Sequence, residues 1–114
     1  MFSGCSNLTQ APALPATTLA DYCYYYMFYG CKSLTIAPEL PATTLAKSCY
    51  NNMFRGCSNL NTITLGYTGN FSGDYFNYWV ESVASSGTFY YNGSDTTRGT
   101  SAIPTGWTVP PFTA

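Results

Sequence analysis

The chain has no histidine, and charged residues make up only 8% of its 114 positions, for a net charge of −1. Without an imidazole, neither Ser nor Cys has the usual base to activate it, and a common metal ligand is missing. The carboxylates Asp21, Glu39, Asp74, Glu81 and Asp95 are spread one per region rather than set out as the positioned pair that general acid–base work needs. No glycine-rich phosphate loop follows a strand-like run. Four scattered cations, Lys32, Lys47, Arg55 and Arg98, do not make the basic stripe that phosphates require, so nucleic acid is not an expected partner. No apolar run reaches the length of a membrane span, so insertion of this segment is not expected. Catalytic residues, cofactor and metal are therefore all expected to be absent. Thr, Ser, Asn, Gly and 11 Tyr must cover much of the surface. Such a surface suits neutral or weakly polar partners and is typical of secreted or surface-displayed proteins.

The chain does hold an internal repeat. Residues 1–26, MFSGCSNLTQAPALPATTLADYCYYY, reappear with changes as residues 27–52, MFYGCKSLTIAPELPATTLAKSCYNN. A third copy opens at Met53 as MFRGCSNLNTITL and then departs. The period of about 26 residues lies in the range in which self-similarity marks a solenoid. Cys5, Cys31 and Cys57 keep it, as do Leu8, Leu34 and Leu60. Small and apolar positions should face inward and stack, Phe2 on Phe28 on Phe54. LTQAPALP, LTIAPELP and LNTITL are the strand candidates, about one short strand per unit. The first two contain prolines that cannot donate to a ladder, so short and irregular strands are expected there. The stretch through Cys-Tyr-x-x-Met-Phe-x-Gly-Cys should return as a turn of helix ending at Gly30 or Gly56. Met1 occupies the same repeat position as Met27 and Met53, so the array opens within a repeat. The expectation is that further repeats or a partner pack on its N-terminal end, with any secretion signal upstream.

MFYGCKSL (27–34) and MFRGCSNL (53–60), followed by the Leu14-Pro15 and Leu40-Pro41 steps, carry an aromatic-x-x-Cys-x-x-Leu signature. In this the chain resembles the leucine-rich repeats of BspA-like bacterial surface proteins over roughly its first two-thirds. It departs in the Ala-Pro-x-Leu-Pro step that stands where that family has Leu-x-x-Ile-x-Ile-Pro. The resemblance implies a short α+β leucine-rich-repeat solenoid, and a surface-displayed or secreted module that binds protein or glycan. The alternative is a structural spacer in a larger assembly, such as a phage or appendage component.

Five cysteines invite a disulfide reading, but they fall on two repeat phases, Cys5/Cys31/Cys57 and Cys23/Cys49. The expected state is a set of buried free thiols acting as small hydrophobes. Zinc is not expected without histidine or CxxC spacing.

From Gly66 the period stops, which divides the chain into repeats (1–65, as 1–26, 27–52 and a partial 53–65) and a non-repeat segment (66–114). GYTGNFSG reads as a loop. In DYFNYWVESVA, Phe76, Trp79, Val80 and Val83 stand at helical spacing with Ser72 or Asp74 as N-cap, which predicts a capping helix. TFYYN alternates like a strand, and Asn92-Gly93 is a turn signal. The predicted cap is thus a helix and β-hairpin, with Trp107 packed on it and Pro110-Pro111 ending regular structure.

A binding surface should lie on the free positions of the repeat. Beside the strands these are Gln10, Ile36 and Thr62, with Glu39 further along. On the outer return, Tyr22, Tyr25 and Tyr26 replace the Ser48, Asn51 and Asn52 of the next unit, and with Tyr24 and Tyr29 they form a tyrosine-dense patch. Tyrosine offers large contact area at small entropic cost and is enriched in binding surfaces.

Overall fold

A computed structural model describes residues 2–71 and 74–110. Two strands form, β1 (Thr62–Leu65) and β2 (Thr88–Tyr91). They pair in parallel, Thr62 opposite Thr88 and Leu65 opposite Tyr91. β1 is the end of the third strand candidate, and its β-branched residues suit an extended ladder. The remainder is turn and irregular backbone, organised by one hydrogen-bonding rule.

In residues 20–31 the odd-numbered amides close local turns onto the carbonyl three residues back. Cys23 donates to Ala20 (3.2 Å), Tyr25 to Tyr22 (3.2 Å) and Met27 to Tyr24 (3.1 Å). The even-numbered amides reach across to the neighbouring segment: Tyr22 to Lys47, Tyr24 to Cys49, Tyr26 to Asn51, Phe28 to Met53 and Gly30 to Arg55, all at 2.8–3.1 Å. That segment repeats the device onto the next, with Tyr50 donating to Tyr75, Asn52 to Asn77, Phe54 to Trp79 and Gly56 to Glu81. Every second turn carries a residue at positive φ as its third member, such as Tyr22 (59°), Tyr26 (56°) and Gly30 (72°). Ser48, Asn52 and Gly56 follow, then Tyr78 and Ser82. Glycine takes that region freely; Tyr and Ser enter it at a cost that the flanking bonds must outweigh.

This rule corrects the expected fold class. The described residues contain no helix, neither the return turn of helix at Gly30 or Gly56 nor the capping helix over 74–84. A helix needs each amide to bond four residues back and a uniformly negative φ. Here the carbonyls of Tyr75, Asn77, Trp79 and Glu81 are given to another segment, and Tyr78 and Ser82 turn left-handed. The four-residue spacing of the turns imitates helical periodicity, which is why Phe76, Trp79 and Val80 read as a helix face. Ser72 and Pro111, the N-cap candidate and the last of the closing prolines, lie outside the described residues. The hairpin is corrected too, because β2 pairs in parallel with β1.

The solenoid with one strand per unit is likewise overturned. Residues 2–61 hold no strand, only isolated parallel bridges at Thr18–Thr44, Ile36–Thr62 and Leu40–Leu65. Between the last two the offset drops from 26 to 25, so one residue of the proline-containing step is bulged out. Pro38 and Pro41 offer no amide to continue the ladder. The molecule measures 34 × 30 × 24 Å with a radius of gyration of 12.6 Å. That is the size of a compact globule of this length, roughly 13 Å, rather than of an elongated array.

One core runs through it. Phe28 lies between Phe2 (5.6 Å, 6°) and Phe54 (5.8 Å, 2°), and Phe54 meets Trp79 at 6.0 Å. A second column runs from Tyr24 through Tyr50 (6.0 Å, 9°) to Phe76 (5.4 Å). Such ring pairs add to the gain from burial itself. The C-terminal segment closes the far end: Ser101 Oγ accepts the Tyr78 amide, Thr100 O the Val80 amide, and Ala102 O the Trp79 indole N–H (2.9 Å). Trp107 is buried and donates its indole N–H to Ala84 O at 2.7 Å. Thr108 exchanges backbone bonds with Gly87 and Phe89 along the outer side of β2.

Tyr50 is fully buried, and its hydroxyl finds no partner among the described residues. Removing that unpaired group should help rather than harm. Tyr50→Phe is expected to stabilise the chain by about 1 kcal/mol, read as a higher urea midpoint at unchanged slope. Gly87→Ala should do the opposite. Its Cβ would run into the Asn61 carbonyl and sit 2.8 Å from the Trp107 ring. The same titration should show a loss of about 2 kcal/mol or more.

Candidate ligand-binding surface

The turn rule sorts the tyrosines of residues 22–29. Tyr24 turns inward onto Tyr50, so it belongs to the core column rather than to the surface patch. Tyr22, Tyr25 and Tyr29 are exposed (49%, 44% and 37%), and Tyr26 is half-buried. Their rings form a relay. Tyr22 meets Tyr25 edge-on at 5.4 Å, Tyr25 meets Tyr26 edge-on at 4.4 Å, and Tyr26 meets Tyr29 at 5.2 Å with a 43° tilt. The Lys47 ammonium stands 6.0 Å from the Tyr22 ring centre, within cation–π range. Desolvation, followed by the neighbouring Tyr26 and Tyr22 phenols, pushes the Tyr25 phenol above its ordinary range. The patch is thus a mutually supported aromatic surface.

At the equivalent positions of the next segment, polar groups are tied to each other. The Asn52 side-chain amide contacts Asn51, and Arg55 Nη1 donates to Asn52 Oδ1 at 3.1 Å. Arg55 also pairs with Glu81 at 3.0 Å and lies 5.5 Å from the Tyr78 ring. Tyr78 is half-exposed at 51%, a surface aromatic that sequence reading missed because a helix was expected there. The signal was present: Tyr78 stands two 26-residue steps after Tyr26, where residue similarity has faded but spacing has not.

The strand-side residues form a separate group. Gln10 and Ile36 line a groove of about 430 Å³ with Thr9, Ala11, Thr35 and Pro38. Gln10 and Glu39 line an adjoining groove of about 600 Å³ with Leu14, Pro15 and Pro41. Ile36 is exposed at 60%, a large apolar side chain facing water beside this groove. Thr62 lies next to Ile36 in a parallel bridge, but it lines neither groove, and its hydroxyl is held by Asn61 Oδ1 at 2.9 Å. The tyrosine relay and the grooves share no residue.

Neither surface gathers reactive chemistry. Asp21 Oδ1 accepts the Lys47 amide at 3.1 Å. Asp95 accepts the Thr97 hydroxyl and amide and the Phe71 amide, which hold its carboxyl below the usual range. Among the described residues no three His, Cys, Asp or Glu side chains cluster as metal ligands. No helix there is long and apolar enough to cross a membrane.

All five thiols are free, but they are not alike. Cys31, Cys49 and Cys57 are buried, whereas Cys5 and Cys23 are exposed, which corrects the expectation that every one is buried. Cys31 Sγ donates to Phe2 O and Cys57 Sγ to Phe28 O, each at 3.0 Å, so two of them also tie one segment to the previous one. Burial pushes Cys49 up to about 11 and Cys57 up to about 12.

Comparison with known proteins finds no match among protein-family models, curated proteins or solved structures.

The buried thiols predict a one-sided pH dependence. In the unfolded chain they ionise near 9, while in the folded chain they hold their protons to about 11 and 12. Above pH 9 the unfolded state therefore binds fewer protons, and stability falls as pH rises through 11 to 12. Denaturation at fixed pH should show this alkaline loss of stability, smaller in Cys57→Ala relative to that variant's own neutral-pH value. A thiol reagent at pH 8 should titrate two cysteines per native chain and five after unfolding.

Proposed function

We propose that this chain is a non-catalytic recognition module that engages a protein or glycan through the tyrosine patch of residues 22–29. The observation that carries the reading is the ring relay itself. Three of its four tyrosines are exposed, and each is braced by the next. Exposed aromatics held in place by packing lose little freedom on binding, while their hydroxyls remain available for hydrogen bonds. Display on a bacterial surface, or secretion, is part of the proposal. It is supported by the resemblance of the MFYGCKSL and MFRGCSNL motifs to BspA-like surface proteins and by the charge-poor, Tyr-rich composition.

The test is a screen of the folded chain over glycan and matrix-protein arrays. The triple variant Tyr22→Ser, Tyr25→Asn, Tyr26→Asn borrows the residues found at these positions one unit later. A ligand of the patch should bind this variant at least tenfold more weakly, since loss of aromatic anchors costs about 1–2 kcal/mol or more. A ligand retained at full affinity would move the site to the Gln10, Ile36 and Glu39 grooves. Silence from a well-folded chain would favour a structural role within a larger assembly.

A further inference from the structure

The Asn92-Gly93 step, a turn signal in the sequence, has a chemistry of its own. Asn92 is exposed, one residue past the end of β2, and Gly93 follows it in a bend without regular structure. Among the described residues the Gly93 amide donates to no acceptor. The other asparagines are each followed by a residue that is committed or bulky. The amides after Asn7, Asn51, Asn52 and Asn59 are spent on backbone carbonyls: Leu8 on Cys5, Asn52 on Asn77, Met53 on Tyr50 and Leu60 on Cys57. The amide after Asn70 is held by Asp95 Oδ2 and that after Asn77 by Ser101 Oγ, each at 2.9 Å. Asn61 precedes Thr62, a β-branched residue fixed in β1.

The fold itself requires glycine after Asn92. A Cβ on residue 93 would strike the Tyr91 hydroxyl and lie 2.6 Å from Thr68 O, so no side chain is accommodated there. The packing that keeps residue 93 bare also leaves its nitrogen open to the neighbouring side chain, and glycine has the backbone freedom to meet it. Exposure, a free amide and a bare following residue coincide at this one asparagine among the described residues.

We propose that Asn92-Gly93 is a self-modifying site, at which the folded chain converts its own asparagine to aspartate and isoaspartate. The Gly93 nitrogen, having given its proton to hydroxide, attacks Asn92 Cγ. A C–N bond forms, the Cγ–Nδ2 bond breaks, and Nδ2 leaves as ammonia with a proton from water, closing a five-membered succinimide. Water then opens that ring. Addition at Cγ breaks the new bond and leaves aspartate. Addition at the main-chain carbonyl breaks the original peptide bond and leaves isoaspartate, joined to Gly93 through Cγ. The sum is a water consumed and an ammonia released, with no redox change. Conversion adds a negative charge near Asp95, whose carboxylate gathers the Phe71 and Thr97 amides. The site lies apart from the tyrosine patch, and neither proposal rests on the other.

The test holds the native chain at neutral to mildly alkaline pH, follows acidic species by anion exchange, and maps their position and linkage by mass spectrometry of peptides. Giving up a hydrogen bond costs roughly fivefold in rate, and a following side chain adds to that. Asn92 should therefore convert at least about tenfold faster than any other asparagine of the folded chain. Both aspartate and isoaspartate are expected at position 92, and the rate should rise with pH because the deprotonated nitrogen attacks. Asn92→Gln, whose longer side chain would have to close a six-membered ring, should lose the acidic species. Conversion at Asn70 or Asn77 that keeps pace with Asn92, acidic species that persist in Asn92→Gln, or aspartate without isoaspartate each overturns the proposal. A synthetic peptide of sequence YYNGSDTT, residues 90–97, separates fold from local sequence. The native chain should convert within about tenfold of the peptide's rate. A slower native chain means that the loop holds Asn92 away from the Gly93 nitrogen, and that also overturns it.

Discussion

The structure depends on dividing the backbone's hydrogen bonds between two directions. Alternate amides close tight local turns, and the others cross to a neighbouring segment. Each residue has one donor, and a buried donor must be satisfied. A chain that sends every second amide sideways cannot also be a helix, and one that bends every second amide into a turn cannot be a strand. What results is a set of turn segments side by side, with aromatic columns through Phe28 and Tyr50 filling the space beneath. The charge-poor composition fits such an interior. Among the described residues, the ionisable side chains that are fully buried are Cys31, Cys49, Cys57 and Tyr50, and burial holds Cys49, Cys57 and Tyr50 in their neutral forms.

Some of this was legible in the residues. The 26-residue spacing places Phe2, Phe28 and Phe54 in contact and Cys31 and Cys57 under the preceding segment. The irregularity of the proline-containing steps was legible too, because a missing amide is a property of the residue alone. The conformation of the return was not. Apolar residues at spacings of three and four signal a helix because the helix is the usual way to bring them onto one face. A four-residue turn with one left-handed residue achieves the same, and only Gly4, Gly30, Gly56 and Asn52 advertise it. Tyr22, Tyr26, Ser48, Tyr78 and Ser82 enter positive φ without any propensity for it. The neighbouring segment imposes that choice, and a local reading does not see the neighbour.

The candidate surface divides in the same manner. Tyr22, Tyr25 and Tyr29 stand exposed and Tyr26 half-buried, at or beside positions that differ between one unit and the next. That Tyr24 leaves the patch for the core needed the turn geometry, since a single step along the chain separates an exposed ring from one stacked on Tyr50. Gln10, Ile36 and Glu39 line adjoining grooves beside the proline-containing steps, where Ala37 and Leu40 still donate to Thr62 and Thr64 but Pro38 offers no amide.

The crossing bonds also set a clock. From Phe2–Met27 to Gly56–Glu81, every bond from one turn segment to the next spans 25 residues, so each such contact closes a loop of about a fifth of the chain. Uniformly long loops place a small domain among the slow folders, milliseconds to seconds rather than microseconds, because the entropy of closure precedes any reward. The loops are equal, so no segment holds a head start from proximity. The order of assembly falls instead to whichever contact rewards closure most. In this chain that is the Phe54–Trp79 junction, where Phe76, Phe89 and Tyr50 also meet Trp79. Assembly that starts at this C-terminal end and runs toward the N-terminus would leave the tyrosine patch of residues 22–29 among the last elements to form.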